Sequence, residues 1–294
     1  MTTTRLPTFL IIGTMKGGTT SLFEYLRIHP EVAMAEDKEV HYFTRGDWET
    51  PAVRQWYEAM FAGPRAQRAR ARGEASPGYS RYPQAPETPE RIAALIPDVR
   101  LIYLLRHPVQ RIVSQYRHKV SLGTETRPID EAVVDEHEYV GTSRYACQIE
   151  RYLEHFDRDQ ILTLRSEDLR EERAETLATV LRFIGVDDRW QAPNLDQDFN
   201  AVGGLRGPRR TARQLREWPR YQTVRPYLPK RLRVAANRVG SRAAATLPPG
   251  SDRMRSATHR TLIETLQPDL ERLRRLAGPG FDAWGLLDAP AVDA

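Results

Sequence analysis

An α/β protein built on a parallel sheet with helices on both faces is predicted by three observations. Short apolar runs recur along the chain, each run ends in a polar turn, and helical patterns follow the turns. Runs that are apolar at every residue, rather than at alternate ones, suit strands buried on both faces. Functional residues in such a sheet gather just beyond the carboxyl ends of the strands.

The first run is Phe9-Leu10-Ile11-Ile12, ending at Gly13. A glycine- and threonine-rich turn, Thr14 to Thr20, leads into a helix over Ser21–Ile28, with Leu22, Tyr25 and Leu26 at helical spacing. His29-Pro30 ends that helix, and Val32-Ala33-Met34 reads as a second strand. Ala62 to Gly73, rich in Arg, Ala and Gly, reads as a surface excursion. Leu101–Leu105 is a further strand; Arg106-His107-Pro108 turns the chain into a helix over Val109–Val120, with Pro108 suited to its first turn. Ile161–Leu164 is a third strongly apolar strand, followed by Ser166-Glu167-Asp168-Leu169. Residues 194–216 carry Gly203-Gly204, Gly207-Pro208 and several arginines, and read as a mobile basic loop. A helical pattern returns from Met254 to Leu276, broken near Pro268, within a C-terminal region 254–288. The organisation expected is one domain, 1–294, with a helical, lid-like C-terminal part.

A hydrophobic fraction of 40% in 294 residues supports a buried core, and the net charge of +5 is a modest excess. That excess suits an anionic ligand and, without basic runs interleaved with aromatics, does not indicate nucleic acid. Cys147 is the only cysteine, so no internal disulfide and no thiolate metal cluster can form. The run Phe9–Ile12 is too short for a signal-peptide core, and no stretch approaches a membrane span. A cytoplasmic protein is expected. The seven histidines are scattered without metal-ligand spacing, and no metal is expected.

Gly13-Thr14-Met15-Lys16-Gly17-Gly18-Thr19-Thr20-Ser21 joins a buried strand to a helix start. Glycines allow a tight turn and close approach to a ligand, and the helix N-terminus favours an anion. Lys16 adds a full positive charge, and Thr19, Thr20 and Ser21 add hydroxyl donors. The segment is a phosphate cradle. It is not the nucleotide triphosphatase form, in which Lys directly precedes Ser or Thr. A second anion site follows the Leu101–Leu105 strand, where Arg106 can grip a phosphate through two parallel hydrogen bonds and Ser114 lies two turns along the helix.

Together these segments resemble the PAPS-dependent sulfotransferases (PAPS is 3′-phosphoadenosine-5′-phosphosulfate), above all bacterial members and the domains that modify heparan sulfate. Phe9 through Leu22 matches the family's 5′-phosphosulfate loop, and Leu104-Leu105-Arg106-His107-Pro108 through Ser114 its 3′-phosphate motif. Lys38-Glu39-Val40-His41-Tyr42-Phe43 resembles the segment that supplies the family's catalytic glutamate, and Gly73 through Tyr79 a segment near the acceptor. Glu271 to Trp284 resembles a C-terminal helix common in bacterial members. The resemblance implies a P-loop-like fold, PAPS as donor with PAP as product, Glu39 as base, and Lys16 with Gly17, Gly18, Thr19, Thr20, Ser21, Arg106 and Ser114 as donor site. Arg209, in the basic loop, is carried over to the nucleotide on the same ground. Heparan-modifying relatives place a lysine where this chain has Ala75, which argues against a long anionic polysaccharide as acceptor.

His41 is left with two roles, orienting the acceptor or sharing the proton. An extended segment through Val40 puts residues 39 and 41 on one face. Tyr145 is open between adenine stacking and helix packing; Trp48, Trp56 and Tyr57 are open between an acceptor wall and core. The acceptor expected is a hydroxyl, less readily an amine, of a small molecule, lipid or saccharide. Two other functions remain in view. A P-loop kinase or hydrolase needs magnesium and an acidic strand end, whereas this strand ends in Arg106; a non-catalytic nucleotide-binding module leaves Lys16 and Glu39 together unexplained.

Overall fold

The computed structural model describes residues 6–197, 199, 253–278 and 280–287. Five strands form one sheet: β1 (Phe9–Gly13), β2 (Val32–Met34), β3 (Ala71–Ala75), β4 (Arg100–Leu105) and β5 (Ile161–Arg165). Their order is β2-β3-β1-β4-β5, and every pairing is parallel. The helices are α1 (Thr19–Arg27), α2 (Pro51–Ala59), α3 (Pro64–Arg68), α4 (Thr88–Leu95), α5 (Pro108–Ser121), α6 (Ile129–Ala132), α7 (Tyr145–Leu153), α8 (Asp168–Glu171), α9 (Arg173–Ile184) and α10 (Ser256–Ala277). Apolar residues fill both faces of the sheet. Leu10, Ile12, Leu101 and Tyr103 join one buried cluster, while Phe9, Ile11, Ile102 and Leu104 join the other. Alternate residues of each run thus serve opposite layers, which is why the runs are apolar throughout.

The surface excursion expected over Ala62–Gly73 is corrected. It holds α3 and enters β3, an interior strand of the sheet between β1 and the edge strand β2. Its sequence, Ala-Arg-Gly-Glu-Ala, hides the strand because its buried positions are small or paired polar residues. A Cβ on Gly73 would stand 2.2 Å from the Phe9 ring, so the missing side chain is the fit.

The break expected at Pro268 is also absent. Proline lacks an N–H and inside a helix costs about 3 kcal/mol, yet α10 runs through it. Leu262, Leu266, Leu270 and Leu273 are buried against the core, and the buried Asp269 carboxylate accepts from the Ala146 and Cys147 N–H groups at 2.9 and 3.0 Å. Tertiary contacts outweigh the local cost. Most of the 194–216 loop lies outside the described residues.

The turn after α5 is held by a buried carboxylate. Glu125 accepts from Arg127 Nε at 3.0 Å, Arg127 Nη2 at 2.8 Å and Tyr139 Oη at 2.9 Å. The Arg127 guanidinium holds this carboxyl down to about 2, below the usual value of about 4.3. A folded value below the unfolded one means stability that is complete above about pH 4.5 and lost as pH falls toward 2. Thermal unfolding between pH 5 and 2 is therefore expected to show a steeper acid loss in the parent than in Glu125→Gln.

Candidate active site

β1 delivers the chain into a tight loop at the carboxyl end of the sheet. Thr14 N–H donates to the Leu104 carbonyl at 2.8 Å, and Gly17 N–H to the Thr14 carbonyl at 2.9 Å. A Cβ on Gly17 would lie 3.0 Å from the Leu104 carbonyl oxygen and 2.7 Å from the Thr14 methyl, so this close approach requires glycine. Gly18 turns at φ 88° into α1, whose first N–H groups have no partner within the helix. Lys16 itself adopts φ 70°, which few non-glycine residues do. Burial lowers the basicity of its amine, and the nearby Arg106 charge lowers it further. Both costs are relieved by an anion.

The β4–α5 turn stands beside this loop. Arg106 Nη1 donates to the Lys16 carbonyl at 3.0 Å, tying the two turns together. Its Nε is buried and unpartnered, and no carboxylate pairs with its guanidinium among the described residues. Burial, then the Arg170 charge, lowers the Arg106 pKa. The turn is braced from behind: Glu167 accepts from His107 N–H at 3.0 Å and from Trp284 Nε1 at 3.1 Å. Tyr145 is fully buried, donates to the Arg106 carbonyl at 2.8 Å and sets its ring edge-on to Tyr103; it packs the turn. Arg111 faces inward instead, bonded to Ser143, Gln115 and the Tyr139 carbonyl, and acts as a strut.

Glu39 reaches the same space from the segment after β2. Val40 does not extend that segment as expected. Glu39 at φ 63° and His41 at φ 55° both adopt left-handed backbone, and the kink still brings the two side chains together. His41 Nε2 stands 3.8 Å from Glu39 Oε2, and Lys38 Nζ donates to Oε1 at 3.1 Å. His41, then Lys38, hold the Glu39 carboxyl down to about 2 against the opposing effect of burial, so it is ionised at neutral pH.

These elements enclose one open cavity of about 1030 Å³. Lys16, Gly18, Thr19, Thr20, Ser21, Glu39, His41, Arg106 and Ser114 all line it, while Gly17 lies behind the loop. Arg209 lies outside the described residues. The lining carries six Lys or Arg side chains (Lys16, Lys38, Arg81, Arg106, Arg117, Arg170) against a single carboxylate, Glu39. Sequence reading missed Lys38, Arg81, Arg117, His118 and Arg170. Arg117 and His118 left a signal: they lie three and four residues after Ser114, on the same face of α5. Burial and the Lys16 charge lower the pKa of His118, with Glu39 opposing, which puts it within electrostatic reach of both. Trp48, Trp56 and Tyr57 are not in the cavity. Tyr57 stacks on Tyr42 at 4.0 Å in the core, and the two tryptophans pack against that core.

The sulfotransferase domain family is matched over residues 6–197, the span that holds both anion turns, Glu39 and the whole sheet. The chain belongs to that family. Among curated relatives, mouse heparan sulfate glucosamine 3-O-sulfotransferase 3B1 is 32% identical over 192 residues, covering 62% of this sulfotransferase-family chain and 47% of the relative. Human bifunctional heparan sulfate N-deacetylase/N-sulfotransferase 3 is 29% identical over 201 residues, covering 62% and 22%. The chain thus spans about half the length of the first of these relatives, or less. Among solved structures, a sulfotransferase from Alicyclobacillus acidocaldarius superposes with a TM-score of 0.67 at 24% identity, covering 95% of this chain and 98% of that one. The sulfotransferase domain from the curacin biosynthetic pathway gives 0.50 at 18% identity, covering 68% and 81%. At these identities the likeness is one of fold. Among the described residues no helix is long and apolar enough to cross a membrane.

Proposed function

We propose that this chain transfers a sulfuryl group from PAPS to a hydroxyl, less readily an amine, of a small-molecule, lipid or saccharide acceptor. The observation that carries this is that two crowded cations, Lys16 and Arg106, neither in an ion pair among the described residues, share one cavity with its single lining carboxylate, the ionised Glu39. Lys16 and the N–H groups at the start of α1 hold the phosphosulfate; Thr19, Thr20 and Ser21 add hydroxyl donors. Arg106 and Ser114 hold the 3′-phosphate. The buried, unpartnered Arg106 Nε and the glycine approach at Gly17 fit such a ligand. When bound, the donor supplies the sulfuryl group and a bisphosphate leaving group. Transfer of this loose, in-line kind needs charge placed well and little covalent chemistry. Lys16 stabilises charge on the leaving oxygen, and Glu39 accepts the acceptor proton as the new bond forms. No step uses a metal.

The four remaining cavity cations, Lys38, Arg81, Arg117 and Arg170, support an acceptor that bears an anionic substituent. Position 75 contributes nothing to that wall, since Ala75 is buried in the apolar layer. A single cysteine, Cys147, supports a cytoplasmic setting.

The test is calorimetric titration with PAP, ATP and magnesium-ATP. Tight PAP binding that magnesium does not alter supports the proposal; tight binding of magnesium-ATP with none of PAP sinks it in favour of a kinase or hydrolase. Arg106→Gln is expected to weaken PAP by on the order of 10- to 100-fold, the worth of a charge-assisted hydrogen-bond pair. Mass spectrometry of extracts incubated with protein and PAPS, seeking products heavier by one SO₃, then identifies the acceptor.

A further inference from the structure

A fully buried carboxylate stands behind the Glu39–His41 segment and touches none of the cavity. Glu74, on β3, is 0% exposed and accepts three hydroxyl hydrogen bonds: Tyr57 Oη at 2.9 Å and Tyr79 Oη at 2.6 Å on Oε1, and Ser76 Oγ at 2.6 Å on Oε2. Burial raises its pKa. Tyr57 and Tyr79 meet two of its needs within the core. The third bond leads outward to the site.

Ser76 is also 0% exposed, and its Oγ accepts the His41 backbone N–H at 3.0 Å. A hydroxyl has one hydrogen to give. The Glu74 carboxylate takes it, so the oxygen lone pairs are left to receive the His41 N–H. The neighbouring peptide is held as well, with Glu39 N–H donating to the Ala75 carbonyl at 2.8 Å. From the other side Gly78 closes on the imidazole: a Cβ there would lie 2.8 Å from His41 Cε1. Left-handed backbone at a non-glycine residue is strained and persists only where surroundings impose it. Here it occurs twice within three residues, at Glu39 and His41.

We propose that Ser76, oriented by the buried Glu74, is a positioning residue for sulfuryl transfer: its hydroxyl pins the His41 backbone in the left-handed form that presents Glu39 and His41 together to the acceptor. The proposal rests on Glu39 being the proton acceptor. Removing the Ser76 hydroxyl orphans one Glu74 oxygen and the His41 N–H together and frees the kink to relax. The donor turns, built on β1 and β4, are left as they were.

The experiment is single-turnover release of PAP from PAPS with water as the acceptor probe, alongside PAP titration to count sites. Ser76→Ala is expected to slow release by on the order of 10- to 100-fold, the cost of misplacing a reacting group by about 1 Å, with PAP affinity unchanged. In a Glu39→Gln background the same substitution is expected to add nothing, because the group it positions has lost its role. If Glu39→Gln alone leaves the rate intact, the base assignment falls and this inference with it. If Glu39→Gln is slow but Ser76→Ala matches the parent, the inference alone is overturned. Equal losses from Ser76→Ala in both backgrounds also overturn it, since they indicate general loosening. Should Ser76→Ala not fold, Gly78→Ala, which pushes His41 from the opposite side, carries the same expectations and the same overturning outcomes.

Discussion

Glu39→Gln is expected to lower turnover by roughly 10²–10⁴-fold, the usual contribution of a positioned general base, while PAP affinity stays within about twofold. The substitution keeps shape and removes only the ability to take a proton. Glu39 is half exposed at the cavity, and its ion pairs are with Lys38 and His41, not with Arg106 or Lys16. The binding of PAP, which lacks the sulfuryl group, is therefore expected to survive. The carboxyl is held at about 2 by His41 and then Lys38. Its folded value lies below the usual one, so its ionised form persists as pH falls from 7 and is lost only toward pH 2. Any decline in turnover between pH 7 and 4 therefore has another origin, and Glu39→Gln is expected to leave the midpoint of that decline unmoved. Turnover and PAP titration measured across that range check both statements. A variant with nearly parental turnover removes the base assignment.

Lys16→Met is expected to cut kcat/KM for PAPS by on the order of 10²–10³-fold, the cost of losing one preorganised donor to a developing anion. PAP affinity is expected to fall by less, because the leaving oxygen gathers charge in the transition state. Methionine matches the stem length and removes the ammonium. Lys16 is a demanding residue to keep at this position: its backbone is left-handed, its amine is partly buried, and Arg106 crowds it. Lys16→Arg is expected to restore little, since a planar guanidinium does not fit where a compact ammonium points from so tight a turn. Comparing kcat/KM with the PAP dissociation constant for both variants separates lost binding from lost stabilisation of the transition state.

Much of this site was legible because its parts are local. A buried strand, a glycine turn and a helix start are contiguous at Phe9–Arg27, and their anion preference follows from backbone geometry alone. Arg106 follows β4 in the same way. What was not legible depends on residues far apart in sequence. β3 escaped notice because Gly73 is read correctly only against Phe9, and Glu74 only against Tyr57, Tyr79 and Ser76. Pro268 read as a break because the contacts that overrule it come from α7. Glu39 looked like a member of a solvated charged stretch, and only the family resemblance singled it out.

The sequence by itself determined the alternation of strands and helices, the phosphate-cradling turn and the second anion turn, because hydrophobic periodicity and glycine-permitted backbone are local properties. Only the tertiary structure decided that Lys16, Arg106 and Glu39 share one cavity and that His118 joins them. It alone decided that Arg111 and Tyr145 are struts, and that the Glu39–His41 kink is held by Ser76 and a buried glutamate. The physical reason is that a charge or hydroxyl takes its meaning from what desolvates and pairs with it, and those neighbours are chosen by folding.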